Sequence, residues 1–157
     1  MTGALGLNGK ESGLSANTDF RSDTVTQPTV KMRAAMMSAP LGDDVFGEDP
    51  TVNLLQETAA GMLGMESALF CPSGTMTNQI AIQLHTKQFS EVICDESAHV
   101  YLYEVGGIAH NSRASVRLIP GDRGRISASQ IEKSINVDDV HHPVSRLVCL
   151  ENSSLGY

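Results

Sequence analysis

The sequence predicts an α/β domain built on a largely parallel sheet, and three observations carry that reading. From Asp19 onward, helical periodicity alternates with short strand-like runs, the pattern in which crossover helices return the chain to parallel strands. The runs at residues 92–95, 116–119 and 146–151 are short, rich in Val, Ile, Leu and Cys, and bounded by turn or polar residues. Length and composition fit one ordinary globular domain, at 157 residues with 41% hydrophobic and 18% charged side chains.

Residues 1–18 are expected to form a disordered leader, because glycine, serine and asparagine dominate and only Leu5, Leu7 and Leu14 could offset the entropy of ordering. Thr29 then caps a helix over residues 29–38, with Val30, Ala34 and Met37 at helical spacing before Pro40. Asp49 is the next N-cap, with Pro50 at the first helical position. Val52, Leu55, Ala59, Met62 and Leu63 make one apolar stripe ending at Gly64. Residues 67–71 read as a buried strand entering the turn Pro72-Ser73-Gly74. A third helix over residues 76–87 carries Met76, Ile80 and Leu84 on one side. A short helix over residues 100–106 should close at Gly106-Gly107.

Ser127 followed by Gln130 is a capping box, which starts a helix whose apolar residues Ile131 and Ile135 give way to the loop at residues 136–142. The strand at residues 146–151 comes last. Parallel sheets are normally covered on both faces, so a chain stopping just after such a strand reads as truncated.

Charge narrows the partners. Eleven Lys+Arg against 18 Asp+Glu give a net −7, and a pI of about 5.1 argues against nucleic acid or an anionic membrane surface. No apolar run approaches the ~20 residues needed to span a bilayer, and no basic segment precedes an apolar one at the N-terminus, so a cytoplasmic location is expected. Cys71, Cys94 and Cys149 lie in or beside apolar runs without a CxxC pair, and read as reduced core thiols.

Residues 67–79 hold the strongest local chemistry. A strand, a Ser-Gly-Thr turn and a helix start would aim free N–H groups, the positive helix end and small hydroxyls at one point, as phosphate sites do. This is neither a P-loop nor a dinucleotide fingerprint. His99 follows the strand at residues 92–95 and falls at the carboxyl edge of the sheet, where open α/β sheets bind ligands. His141 lies in the loop before the strand at residues 146–151. The acidic run Asp43, Asp44, Glu48, Asp49 fails calcium-loop spacing and reads as a solvated turn plus a cap. Adjacent His141 and His142 lack further ligands at metal spacing.

Four ordered motifs, Phe20 to Thr29 (FRSDTVTQPT), Gly42 to Thr51 (GDDVFGEDPT), Pro72 to Gln79 (PSGTMTNQ) and Ala98 to Glu104 (AHVYLYE), resemble those of low-specificity L-threonine aldolases. The resemblance covers residues 19–152. It implies an aspartate-aminotransferase-type (fold type I) large domain that binds pyridoxal 5'-phosphate (PLP), here incomplete, and retro-aldol cleavage of L-threonine or L-allo-threonine to glycine and acetaldehyde. By the same resemblance Gly74 and Thr75 hold the cofactor phosphate and His99 stacks on its ring. His99 and His141 are catalytic, and Ser22 helps hold the substrate carboxylate. A homo-oligomer, tetrameric in the family, is also implied.

The departures fall at the end. Residues 153–157 do not follow the family pattern, and the Asp-Gly-Ala-Arg strand and the cofactor-bearing lysine are expected further on. Lys10, Lys31, Lys87 and Lys133 are the lysines here, and none stands in a Ser-Lys context after a strand. The fragment is therefore expected to be inactive alone. Two alternatives stay open: a lyase of the tryptophanase or tyrosine phenol-lyase type, and a non-catalytic product that associates with full-length subunits.

Overall fold

Short runs of β-branched and small apolar residues become three parallel strands, β1 (Ser90–Asp95), β2 (Ser115–Ile119) and β3 (Val144–Val148), in the order β2-β1-β3. The computed structural model describes Asp19 and residues 22–152. β1 is buried along its whole length, as a central strand flanked on both edges must be. Val92 lies opposite Val116 on one side and Leu147 on the other, with a register shift between Glu91 and Val92 on the β3 side.

The helices are α1 (Val30–Ser38), α2 (Pro50–Leu63), α3 (Gly74–His85), α4 (His99–Leu102), α5 (Gly107–Ser112) and α6 (Ala128–Ser134). Strand residues alternate faces, so Val92 and Cys94 pack on one side with Ile82 of α3, Val100 of α4 and Ile108 of α5. Ile93 and Glu91 fall on the other. There Glu91 is buried and accepts from Arg117 Nε at 3.2 Å and Asn136 Nδ2 at 2.9 Å, tying the loop after α6 to the sheet. All three cysteines are free. Burial, with nearby acidic groups, pushes Cys94 up to about 12 and Cys149 up to about 11, so both stay protonated thiols at neutral pH.

Local capping chemistry decides the helix starts. Thr29 Oγ1 accepts from Met32 N–H, and Asp49 Oδ1 accepts from Thr51 and Val52 N–H at 2.9 Å each, with Pro50 at the first turn. The other Asp49 oxygen takes the Gly42 N–H. Gly42 has no room for a Cβ, which would collide with the Glu48 carbonyl, so the Gly-Asp-Asp loop folds back on its own helix. Ser127 and Gln130 form the expected capping box at α6.

Four sequence expectations are corrected. Residues 67–71 form no strand: the segment is irregular and mostly exposed, and Phe70 N–H donates to Gln56 Oε1 at 2.8 Å instead of to a neighbouring strand. A strand needs a partner, and residues 67–71 pair with none of β1, β2 and β3. The buried face of α3 carries Gln79 and Ile82, while Met76 and Leu84 are exposed. The helix expected over residues 100–106 is shorter and earlier, His99–Leu102, and after positive φ at Val105 and Gly106 a separate helix, α5, starts at Gly107. The strand expected at residues 146–151 starts and ends earlier, at Val144–Val148. Leader residues 1–18 and tail residues 153–157 lie outside the described residues. Among the described residues no helix is long and apolar enough to cross a membrane.

Candidate functional site

The carboxyl end of β1 is the place to build from, since the sheet stops there and the chain turns. Asp95 closes the strand by accepting from Ser97 N–H at 2.8 Å and Gly121 N–H at 2.9 Å, which ties the ends of β1 and β2 together. Burial pushes its carboxyl up, but the Ser97 hydroxyl and these two N–H groups outweigh that, and the group ends below the ordinary aspartate value. The turn so fixed delivers His99 to the start of α4. Its backbone N–H is held by the carboxylate of Glu151, which follows β3, so the ends of all three strands converge on this loop.

The His99 ring is 42% exposed, while its partner Glu104 is wholly enclosed. Nδ1 of His99 lies 3.1 Å from Glu104 Oε1, and the Tyr103 ring sits 5.5 Å away at 47°. From α3, Asn78 Nδ2 donates to the same Glu104 oxygen at 2.7 Å and Gln79 Nε2 to the other at 2.5 Å. Asn111 Nδ2 in turn donates to Gln79 Oε1 at 3.2 Å. Gly107 makes room for this: a Cβ there would come within 2.5 Å of the Gln79 amide.

α3 runs back toward the amino end of β1, so its own N-terminus lies at the carboxyl edge beside His99. Gly74 and Thr75 open it, about 6 Å along the axis from Asn78. Ser73 Oγ takes the Met76 N–H, and Thr77 N–H goes to the Ser73 carbonyl. The N–H groups of Gly74 and Thr75 meet no acceptor among the described residues, as the first turn of a helix leaves them. No acidic residue stands in that turn, and a Cβ on Gly74 would meet nothing within 4 Å. Two free donors, a hydroxyl, a positive helix end and open space suit a phosphate dianion, and the half-exposed imidazole suits a flat ring beside it. The donor set fits PLP.

The structure brings Gly74, Thr75 and His99 to one edge; His141 is elsewhere. It precedes β3 and so sits at the amino edge, across the length of β1, about 20 Å. There it lines an open hollow with Phe89, Ser90 and Ser115. Its ring is exposed and its Nδ1 contacts Asp139 at 2.8 Å, while Asp139 is held below its ordinary pKa mainly by the His141 N–H. Within one chain, strand direction thus separates His99 and His141, at opposite ends of β1. Ser22 caps the 3₁₀ turn at Asp23–Val25: its hydroxyl accepts from Thr24 N–H at 3.2 Å and donates to Asp23. No hydrogen bond links it to α3 or His99 among the described residues.

Glu104, Asn78, Gln79 and Glu151 are site residues that pattern reading did not single out. Asn78, Gln79 and Glu104 lie within two motifs already quoted, but sequence alone does not show that positions 25 and 26 residues apart meet.

Known proteins resemble this chain along most of its length. The low-specificity L-threonine aldolase of Escherichia coli (strain K12) is 43% identical over 141 residues, 88% of this chain and 42% of that protein. The Saccharomyces cerevisiae low specificity L-threonine aldolase is 41% identical over 147 residues, 91% of this chain and 38% of that protein. A solved threonine aldolase of Leishmania major superposes with a TM-score of 0.66 at 22% identity, covering 81% of this chain and 38% of that one. The chain thus spans about two-fifths of the length of these relatives, and its fold is the α/β fold of PLP enzymes of fold type I. Residues 19–155 match the Beta-eliminating lyase family, a span that takes in the phosphate-type helix start, His99 and the strands that position them, and on that match the chain belongs to this family.

Proposed function

We propose that the protein takes part in PLP-dependent cleavage of L-threonine and L-allo-threonine to glycine and acetaldehyde, with this chain forming the wall that receives the cofactor. The observation that carries the reading is the joining of the α3 N-terminus and His99 through one buried carboxylate at the carboxyl edge of the sheet. The similarity to threonine aldolases at 41–43% identity supports the substrate.

When bound, PLP supplies the electron sink that allows a bond at the amino-acid α-carbon to break. Gly74 and Thr75 hold its phosphate with backbone N–H groups and the Thr75 hydroxyl, at the positive end of a 12-residue helix. His99 would stack on the ring and supply an imidazole for proton transfer there. Ser22 contributes to holding the substrate carboxylate. His141 belongs to the catalytic set implied by the resemblance, yet within one chain it stands at the opposite edge, so His99 is the histidine assigned to this wall. The exposed apolar side chains of α1 and α2 favour a homo-oligomer, and we place the protein in the cytoplasm.

The test is product analysis on the protein expressed from its full coding sequence, with PLP and L-threonine. Glycine and acetaldehyde in equal amounts support the reading. A 2-oxo acid and ammonia from an aromatic amino acid would replace it with the tryptophanase type, and no product from either would favour the non-catalytic alternative.

A further inference from the structure

We propose that Glu104 is a positioning residue that locks His99 in the Nδ1–H tautomer and leaves Nε2 as a bare proton acceptor facing the open edge. The same carboxylate ties that ring to α3. That this edge receives a cofactor rests on the function proposed above; the tautomer does not.

The argument is one of donor counting. Glu104 has no exposed side-chain surface, so its oxygens must be satisfied by protein groups. Three nitrogens converge on it, from Asn78, Gln79 and His99. The Gln79 amide cannot be flipped, because its oxygen already accepts from Asn111 and its nitrogen is the end aimed at Glu104. A carboxylate only accepts, so the His99 nitrogen facing it must be an N–H. A neutral imidazole carries one N–H, which leaves the lone pair on Nε2, the reverse of the free side chain's preference for Nε2–H. Ring tilt is restrained by Tyr103 and backbone position by Glu151.

The experiment is ¹⁵N–¹H correlation spectroscopy of the full chain labelled at histidine, at a pH where the rings are neutral, with the His99 signals assigned by their loss in His99→Gln. The expected spectrum has the unprotonated-type nitrogen resonance on Nε2, coupled to both ring protons. In Glu104→Leu no acceptor faces Nδ1, and His99 is expected to shift toward the Nε2–H tautomer of the free side chain. A wild-type spectrum dominated by Nε2–H overturns the proposal, as does a folded Glu104→Leu variant whose His99 keeps Nδ1–H in full. Where that variant does not fold, the wild-type spectrum decides. PLP titration run alongside separates the two readings: Nδ1–H without PLP binding removes the functional reading and leaves the role of Glu104 standing.

Discussion

Gly74 and Thr75 are the residues at which a binding role and a folding role come apart most cleanly. Open space surrounds the position a Gly74 side chain would take, so Gly74→Ala should not lower the melting temperature of the chain, while on the proposed function the new methyl would crowd the phosphate and lower PLP affinity by roughly tenfold. Paired thermal melts and PLP titrations check this, and an equal loss in both would assign Gly74 to folding alone. His99 and His141 are the second contrast. In the complete enzyme His99→Ala should lower kcat/KM by at least 10²-fold, whereas His141→Ala should cost less, since only His99 lies at the edge where α3 begins. Steady-state kinetics of both variants rank them; a larger loss for His141 would mean that the amino edge of one chain serves the site of another.

Among the elements, α2 shows how far local chemistry reads out of a sequence. Asp49, Pro50 and Gly64 mark its limits correctly because cap and first turn are within a few residues of one another. The Asp49 carboxyl is held below its ordinary value by the Val52, Gly42 and Thr51 N–H groups against a smaller opposing effect of burial. A depressed folded-state pKa means stability that is complete above the unfolded value near 3.9 and lost as pH falls through the folded one. The stability gap between wild type and Asp49→Asn should therefore be full at about pH 7 and close steadily below about pH 4, as urea denaturation across pH would show. α3 marks where legibility stops. Expected over residues 76–87, it starts two residues earlier, at Gly74 behind the Ser73 cap, and its buried positions are Gln79 and Ile82 and not the apolar row Met76, Ile80, Leu84. The reason is non-local: Glu104 needs amide donors, and no periodicity within α3 announces a carboxylate 25 residues away. Residues 67–71 were misread for the same kind of reason, since their strand-like composition says nothing about whether a partner edge is free.

For the molecule as a whole, apolar exposure is unevenly distributed. Val30, Met37, Leu41, Val45, Met62 and Leu84 are each more than three-quarters exposed, while the buried apolar residues, Ala60 apart, cluster around β1. Such a surface favours association, so sedimentation at micromolar concentration should give a mass well above the 16.8 kDa of one chain, falling toward it at low protein concentration; a sharp monomer at all concentrations would contradict this. The parallel order β2-β1-β3 explains why the class of the fold was legible while its closure was not: alternation along the chain announces crossovers, but not which strand ends in the middle. The Glu151 contact to the His99 N–H has a consequence in time. The two residues are 52 positions apart, and a ribosome adding about 5–20 residues per second needs about 3–10 s to travel between them. For that interval the nascent chain holds β1 and the His99 turn without the strand and the carboxylate that hold them in place, so the carboxyl edge of the sheet is the last part of this region to set, and any chaperone acting during synthesis meets it while it is still soft.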